Sequence, residues 1–282
     1  MILTVTLNPA VDVTYHLPAI LIGETNRVTS VTRRAGGKGV NVARILVALG
    51  LPVVATGLAG TGFDTGELPA AFLPIAAPVR HTVVVTDGIG ATGFWEPGPP
   101  VTGDDWALFQ ARYARLVRRA AVVVLAGSLP PGIPVDAYRE LIRTARLAGA
   151  RSILDSSGPA LAAGLAAGPD VVKPNATELA DAARPPDGTA VVASRGPDGL
   201  LAHTPGGTYT ARPPRPLAGN PTGAGDACVA ALARGLSAGT PWPELLADAV
   251  ALSAAAVVAP VAGDYDPDLY RRLRDEVRVE KI

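Results

Sequence analysis

Short β-rich runs alternate with helix-patterned runs along almost the whole chain, and that alternation admits few folds. "ILTVTL" (2–7) reads as a strand. "KGVNVARILVALG" (38–50) puts Val42, Ile45, Leu46 and Leu49 on one face and stops at Gly50, the pattern of a half-buried helix with a glycine end. "PVVATG", "AVVVLAG", "RSILDSS", "DVVKPN" and "TAVVASRG" read as further strands, with "PVDAYRELIRTARLAG", "GPALAAGLAAG" and "ATELADAA" as helices between them. Parallel strands need a crossover connection, normally a helix, so this rhythm predicts a mostly parallel sheet with helices on both faces. The expected class is α/β: a three-layer αβα core with a doubly wound central sheet. At 282 residues the chain is long enough to bury such a core.

Two segments break the rhythm. Residues 11–35 and 80–96 carry paired β-patterns joined by turns, with no helical period. They are expected to form a small β-sheet lid, leaving 1–10, 36–79 and 97–282 as the α/β core. "EPGPPVTGDD" (96–105) reads as the hinge into a helix whose Thr102 and Asp105 have capping-box spacing.

Bulk properties exclude several function classes. Lys+Arg and Asp+Glu are 25 each, so no basic face for nucleic acid is expected. The most basic stretch, "RRLRDEVRVEK" (271–281), is interrupted by acids and reads as a solvated helix face. The longest apolar run (249–263) is too short for a membrane span and contains Pro260, so it reads as a buried helix. The first ten residues read as a strand rather than a signal peptide. The single cysteine, Cys228, rules out an internal disulfide and fits a reducing compartment, here the cytoplasm.

In an open α/β sheet, ligands sit beyond the carboxyl ends of the strands, so chemistry is sought in the loops there. The stretch "NPTGAGDACVAALARG" (220–235) places glycines directly before a helix, with an acid in its first turn. Backbone N–H groups converging at a helix N-terminus make an anion site, and a carboxylate beside an anion site can serve as a base. A tight turn followed by a dipole-favoured acid gives the same string. "AGGKGVNVA" (35–43) surrounds Lys38 with glycines before a helix. Gly39 stands where a Walker A loop needs Ser or Thr, so that nucleotide motif is absent, and Lys38 and Asn41 remain as polar ligand contacts or as a solvated turn. In "VVKPNATEL" (171–179), Asn175 and Glu178 have capping-box spacing, while Lys173 ends an apolar strand, where an unpartnered charge is costly. A carboxylate there can hold the water shell of Mg²⁺. Ser128 in "SLPPG" and Asp155 in "ILDSSG" both follow strands. Asp12 follows the first strand, where it can bind sugar hydroxyls or close a turn. The three histidines have no metal-ligand spacing.

Taken in order, "TLNPAVD", "GGKGVNVARILVALG", "GSLPPG", "DSSG", "KPNATEL" and "TGAGD" resemble the ribokinase/PfkB family of carbohydrate kinases, collinear over roughly residues 1–260. "LNPAVD", "GSLPPG" and "KPN" are similar to the branch containing 1-phosphofructokinase and tagatose-6-phosphate kinase. The resemblance implies ATP and Mg²⁺ as cofactors and a phosphorylated ketohexose as acceptor, with fructose 1-phosphate first and tagatose 6-phosphate or fructose 6-phosphate next. It implies Asp226 as catalytic base and Gly223, Ala224 and Gly225 as the anion hole. Asp12, Gly37, Lys38, Asn41, Arg80 and Ser128 would hold the acceptor. Lys173, Asn175, Glu178, Ser194, Gly196 and Thr222 would hold ATP, with Glu178 reaching the metal through water. It also implies a homodimer through the β lid. A kinase of an unphosphorylated sugar or a nucleoside, and a non-catalytic sugar- or nucleotide-binding protein on the same scaffold, are the alternatives. The chain departs from the branch at Val79, Thr82 and Trp95, and it is short over 67–79 and 184–189.

Overall fold

A computed structural model describes residues 1–87, 90–175, 177–178, 185–215, 217, 219 and 221–282. In chain order the elements are β1 (Ile2–Thr6), β2 (Ala10–His16), β3 (Ser30–Gly36), α1 (Lys38–Ala48), β4 (Val53–Thr61), β5 (Leu73–Pro78), β6 (Arg80–Thr86), β7 (Ala91–Trp95) and α2 (Gly103–Val117). They continue with β8 (Val122–Ala126), α3 (Ala137–Leu147), β9 (Arg151–Asp155), α4 (Gly158–Leu165), β10 (Val171–Val172), β11 (Ala190–Ser194), β12 (Leu200–Thr204) and β13 (Gly207–Arg212). The chain closes with α5 (Ala224–Ala238), α6 (Trp242–Val257), α7 (Pro267–Glu276) and β14 (Arg278–Lys281).

Ten strands form the central sheet in the order β14-β13-β12-β11-β10-β9-β8-β1-β4-β5. Every pairing from β5 to β11 is parallel, and β11 to β14 run antiparallel. Strand alternation sorts side chains between two cores. Ile2, Val122, Val124 and Ala126 pack on one face with Ile45 and Leu46 of α1, Leu232 of α5 and Leu252 of α6. Leu3, Val5, Val123 and Leu125 pack on the other with Phe109 and Tyr113 of α2 and Tyr138 of α3. The architecture is therefore three-layer αβα. Successive strands leave β1 toward β4 on one side and toward β8 on the other, so a crevice opens beside the carboxyl end of β1.

A second sheet, β3-β2-β6-β7, stands apart from the central one. Its β2 continues from β1, and β3 returns the chain into α1. The short run before Arg80 is filled by β5, which pairs with β4 at the sheet edge. Thr102 caps α2: its hydroxyl accepts from the Asp105 amide and its own amide donates to the Asp105 carboxylate, both at 3.1 Å.

Two elements differ from the sequence expectation. The basic C-terminal stretch is helical only to Glu276; Arg278–Lys281 forms strand β14 against β13. Half-buried Val279 alternates with exposed neighbours there, the period of a strand with one covered face. The hairpin of β12 and β13 has no counterpart in the sequence reading; its turn at Thr204–Gly207 extends the sheet past β11. The helix expected over 176–183 lies largely outside the described residues.

Candidate active site

The crevice beside β1 is a cleft of about 520 Å³, walled by the strand ends of the core and by the β2, β3 and β6 strands of the small sheet. Asp12, Gly37, Lys38, Asn41, Arg80, Ser128, Lys173, Thr222, Gly223, Gly225 and Asp226 all line it. Residues spread over more than two hundred sequence positions thus meet in one space.

At one end lies the N-terminus of α5. Gly223 takes a left-handed backbone (φ +93), and a side chain there would begin 2.8 Å from Ala262 Cα. Only glycine fits this turn without strain. The Ala224 amide donates back to Pro221 O at 3.1 Å. The Gly225 amide makes no such loop bond among the described residues, and the Lys173 ammonium lies 3.5 Å from where a Gly225 side chain would begin. The Gly225 amide, the helix dipole and the buried Lys173 ammonium converge here, a combination suited to phosphate.

Asp226 follows in the first turn and is buried. Asn41 of α1 donates to its Oδ2 at 2.9 Å. Burial pushes the Asp226 carboxyl up to about 7; Lys38 pulls against this, and the charge of Asp155 adds to it. A carboxylate tuned to that range both loses and accepts a proton near neutrality. Behind it, Asp155 at the end of β9 is 1% exposed, and its Oδ1 receives both Lys38 Nζ (3.1 Å) and Lys173 Nζ (3.4 Å). Burial opposes its ionisation, but the two ammonium groups hold Asp155 below the usual carboxylate range. Lys38 is part-exposed; desolvation at the cleft wall works against its charge, yet Asp155 and Asp226 raise its ammonium above its ordinary value. Lys38 therefore lies closer to the phosphate end than a pure acceptor contact would.

At the other end Asp12 is raised to about 6 by burial, against the opposing charges of Arg34, Arg80 and Arg44. Arg80 donates to the carbonyls of Glu96 and Asn8, each at 3.1 Å. Asn8 also donates from Nδ2 to Ser128 Oγ at 3.0 Å. One buried asparagine thus braces both Arg80 and Ser128, and sequence reasoning quoted it without singling it out. Thr82 and Trp95 also line the cleft, the indole folding over Gly93.

Asn175, Glu178, Ser194 and Gly196 are not among the residues walling this cleft. Asn175 and Glu178 lie just beyond Lys173 after β10, and Ser194 and Gly196 at the end of the next strand, β11. Asn175 bridges to Ser194, and Gly196 begins a short 3-10 turn directly after β11. Asn175 and Glu178 exchange backbone–side-chain bonds at 2.8 and 2.9 Å, as their spacing predicts for a capping box. Glu178 still acts electrostatically on Lys38. Among the described residues no three acids, histidines or cysteines gather as a metal cage. Asp155 Oδ2, buried at the cleft wall, has no hydrogen-bond partner among the described residues. An acceptor oxygen of that kind and a nearby glutamate suit Mg²⁺, which is bound through one or two carboxylates, several waters and substrate phosphates. No helix among the described residues is long and apolar enough to cross a membrane.

The chain is similar to known proteins over nearly its whole length. Phosphofructokinase-2 from Escherichia coli, in a structure with fructose-6-phosphate, superposes with a TM-score of 0.85 at 28% identity over 98% of each chain. A protein described as "Possible 1-phosphofructokinase" from Thermotoga maritima gives 0.86 at 26% identity, over 100% of this chain and 99% of that one. Ribokinase of Arabidopsis thaliana with ribose and ATP shares the fold, with a TM-score of 0.70 at 21% identity over 97% of this chain and 98% of that one. The sequence model of the pfkB family carbohydrate kinases matches residues 82–268, more than half of the chain, and with it the protein belongs to that family and is an ATP-dependent sugar kinase.

Proposed function

We propose that the protein transfers the terminal phosphoryl group of ATP to a primary hydroxyl of a phosphorylated ketohexose. Fructose 1-phosphate is the leading acceptor; fructose 6-phosphate and tagatose 6-phosphate are the alternatives. One observation carries this reading: a buried carboxylate tuned to about 7 stands directly behind a helix N-terminus in a cleft whose far end is cationic. The likeness to a phosphofructokinase seen with fructose-6-phosphate supports a phosphohexose.

In the proposed step the acceptor hydroxyl oxygen attacks the γ-phosphorus, the bond to the β–γ bridging oxygen breaks, and ADP leaves. Asp226 takes the hydroxyl proton. Asn41 orients its carboxylate. The Gly225 amide, the α5 dipole and the Lys173 and Lys38 ammonium groups hold the charge spread over the equatorial oxygens, already in place before reaction. Glu178 and Asp155 would hold Mg²⁺ through water, and the ion would supply positive charge to offset that of the phosphates. Asp12 binds sugar hydroxyls, and Arg80 with Ser128 takes the acceptor's own phosphate. Asn175, Ser194, Gly196 and Thr222 border the nucleotide. Exposed Phe94 and Trp95 on β7 fit a homodimer through the lid.

Asp226 must be ionised to accept a proton, so kcat/KM is expected to fall about tenfold per unit below about pH 7 and to level off above it. A pH-independent rate from 5 to 8 would remove Asp226 as base. An acceptor screen by coupled ADP release tests the substrate class. Arg80→Ala is expected to raise KM for the phosphorylated acceptor by about 10–100-fold with little change in KM for ATP, since it deletes one charge-assisted contact. Equal turnover of fructose and its phosphates would refute the phosphohexose assignment.

A further inference from the structure

The pair Arg34–Asp264 has no part in the scheme above, yet it touches two of its components. Arg34 lies on lid strand β3, in register with Asp12 on β2. Its Nη1 donates to Asp264 Oδ2 (3.0 Å) and its Nη2 to Oδ1 (3.3 Å), across 230 positions of sequence. A planar two-pronged pair fixes orientation as well as distance.

Asp264 belongs to the loop that follows α6, and that loop is wedged between three parts of the site. Gly263 is left-handed (φ +83), and a side chain there would begin 3.0 Å from Arg34 Nη2 and 3.1 Å from Asn41 Oδ1. Asn41 is the residue bonded to Asp226. One residue earlier, Ala262 presses on Gly223, whose turn opens α5. The loop thus lies against Arg34 of the lid, the anion-binding turn and the asparagine bonded to the base.

We propose that Arg34 is a positioning residue that ties the lid to the 261–264 loop, so that the lid's position sets that of the Gly223–Gly225 turn and of the Asn41–Asp226 pair. This rests on the kinase reading above. The pair is half-open to solvent, with side chains 17% and 48% exposed, and such pairs add little to folding stability. Phosphoryl transfer, by contrast, is sensitive to displacements of about 1 Å. Loss of rate without loss of stability is what separates positioning from a merely structural role.

The test compares Arg34→Ala, Asp264→Ala, the double variant and Arg34→Lys. Each alanine variant is expected to lose about 10–100-fold in kcat, with KM for ATP within about twofold and melting temperature within about 4 °C of wild type. The double variant is expected to be no worse than the weaker single, and Arg34→Lys to recover part of the loss. Amide hydrogen exchange, read without any sugar, is expected to speed up over 222–227 in Arg34→Ala while α2 is unchanged. Unchanged kcat, losses that multiply in the double variant, or wild-type exchange over 222–227 would each overturn the proposal. Wild-type protein inert toward every sugar phosphate would instead overturn the phosphohexose reading, and the exchange measurement would still decide the role of Arg34.

Discussion

Replacing Asp226 by asparagine is expected to lower kcat by about 10²–10⁴-fold while ATP binding stays within about twofold of wild type. Asparagine keeps the shape and can still accept the Asn41 bond, so only the proton-accepting capacity is lost. The fold should tolerate the change. A carboxyl raised from 3.8 to about 7 binds its proton more tightly folded than unfolded. Between those values its ionisation therefore costs stability as pH rises, and that cost is fully present above about 7. The variant is thus expected to melt no lower than wild type at pH 8. A kcat within threefold of wild type would remove Asp226 as base. Undetectable ATP consumption by wild-type protein, together with thermal stabilisation by ligand, would favour a binding protein on a kinase scaffold.

Asp155→Asn is expected to act on both stability and rate. It leaves the buried Lys173 ammonium and the part-exposed Lys38 ammonium without their shared carboxylate, and breaking a buried ion pair such as Lys173–Asp155 costs about 3–5 kcal/mol. For a chain of this size that corresponds to a fall in melting temperature of about 10 °C. The sign with pH is opposite to that of Asp226. Asp155 is held below its ordinary 3.8, so its contribution is present above that value and is lost as pH falls through the folded-state value. The same substitution removes a negative neighbour of Asp226 and frees Lys38 and Lys173 to pair with it. The acid limb of kcat/KM is therefore expected to move below about 7. Thermal melts and pH–rate profiles of the variant check both effects, and an unmoved limb would show that Asp155 and Asp226 are not coupled.

How much of this was legible in the sequence follows from the range of the forces involved. The strand and helix periods are local, and they carried the αβα architecture and the boundaries of most elements, such as α1 ending before Gly50. Capping spacing is local as well, and both Thr102–Asp105 and Asn175–Glu178 form as read. The β12–β13 hairpin and β14 were missed because their runs are short and mixed in charge, and pairing rather than period makes them strands. The glycine-before-acid pattern pointed to Asp226, but nothing local to it signals a carboxyl raised to about 7, which needs the burial and neighbours supplied by α1, β9 and β10. Asn8 and Arg34 escaped for the same reason. Their partners, Ser128 and Asp264, lie 120 and 230 positions away.

The most direct measurement is a crystal structure of the protein with ADP, a fluoroaluminate group and fructose 1-phosphate. The account expects the fluoroaluminate against the Gly225 amide and Lys173, and the acceptor's primary hydroxyl within hydrogen-bond reach of Asp226, about 2.6–3.2 Å. A hydroxyl held elsewhere, with Asp226 facing no reacting atom, would contradict it.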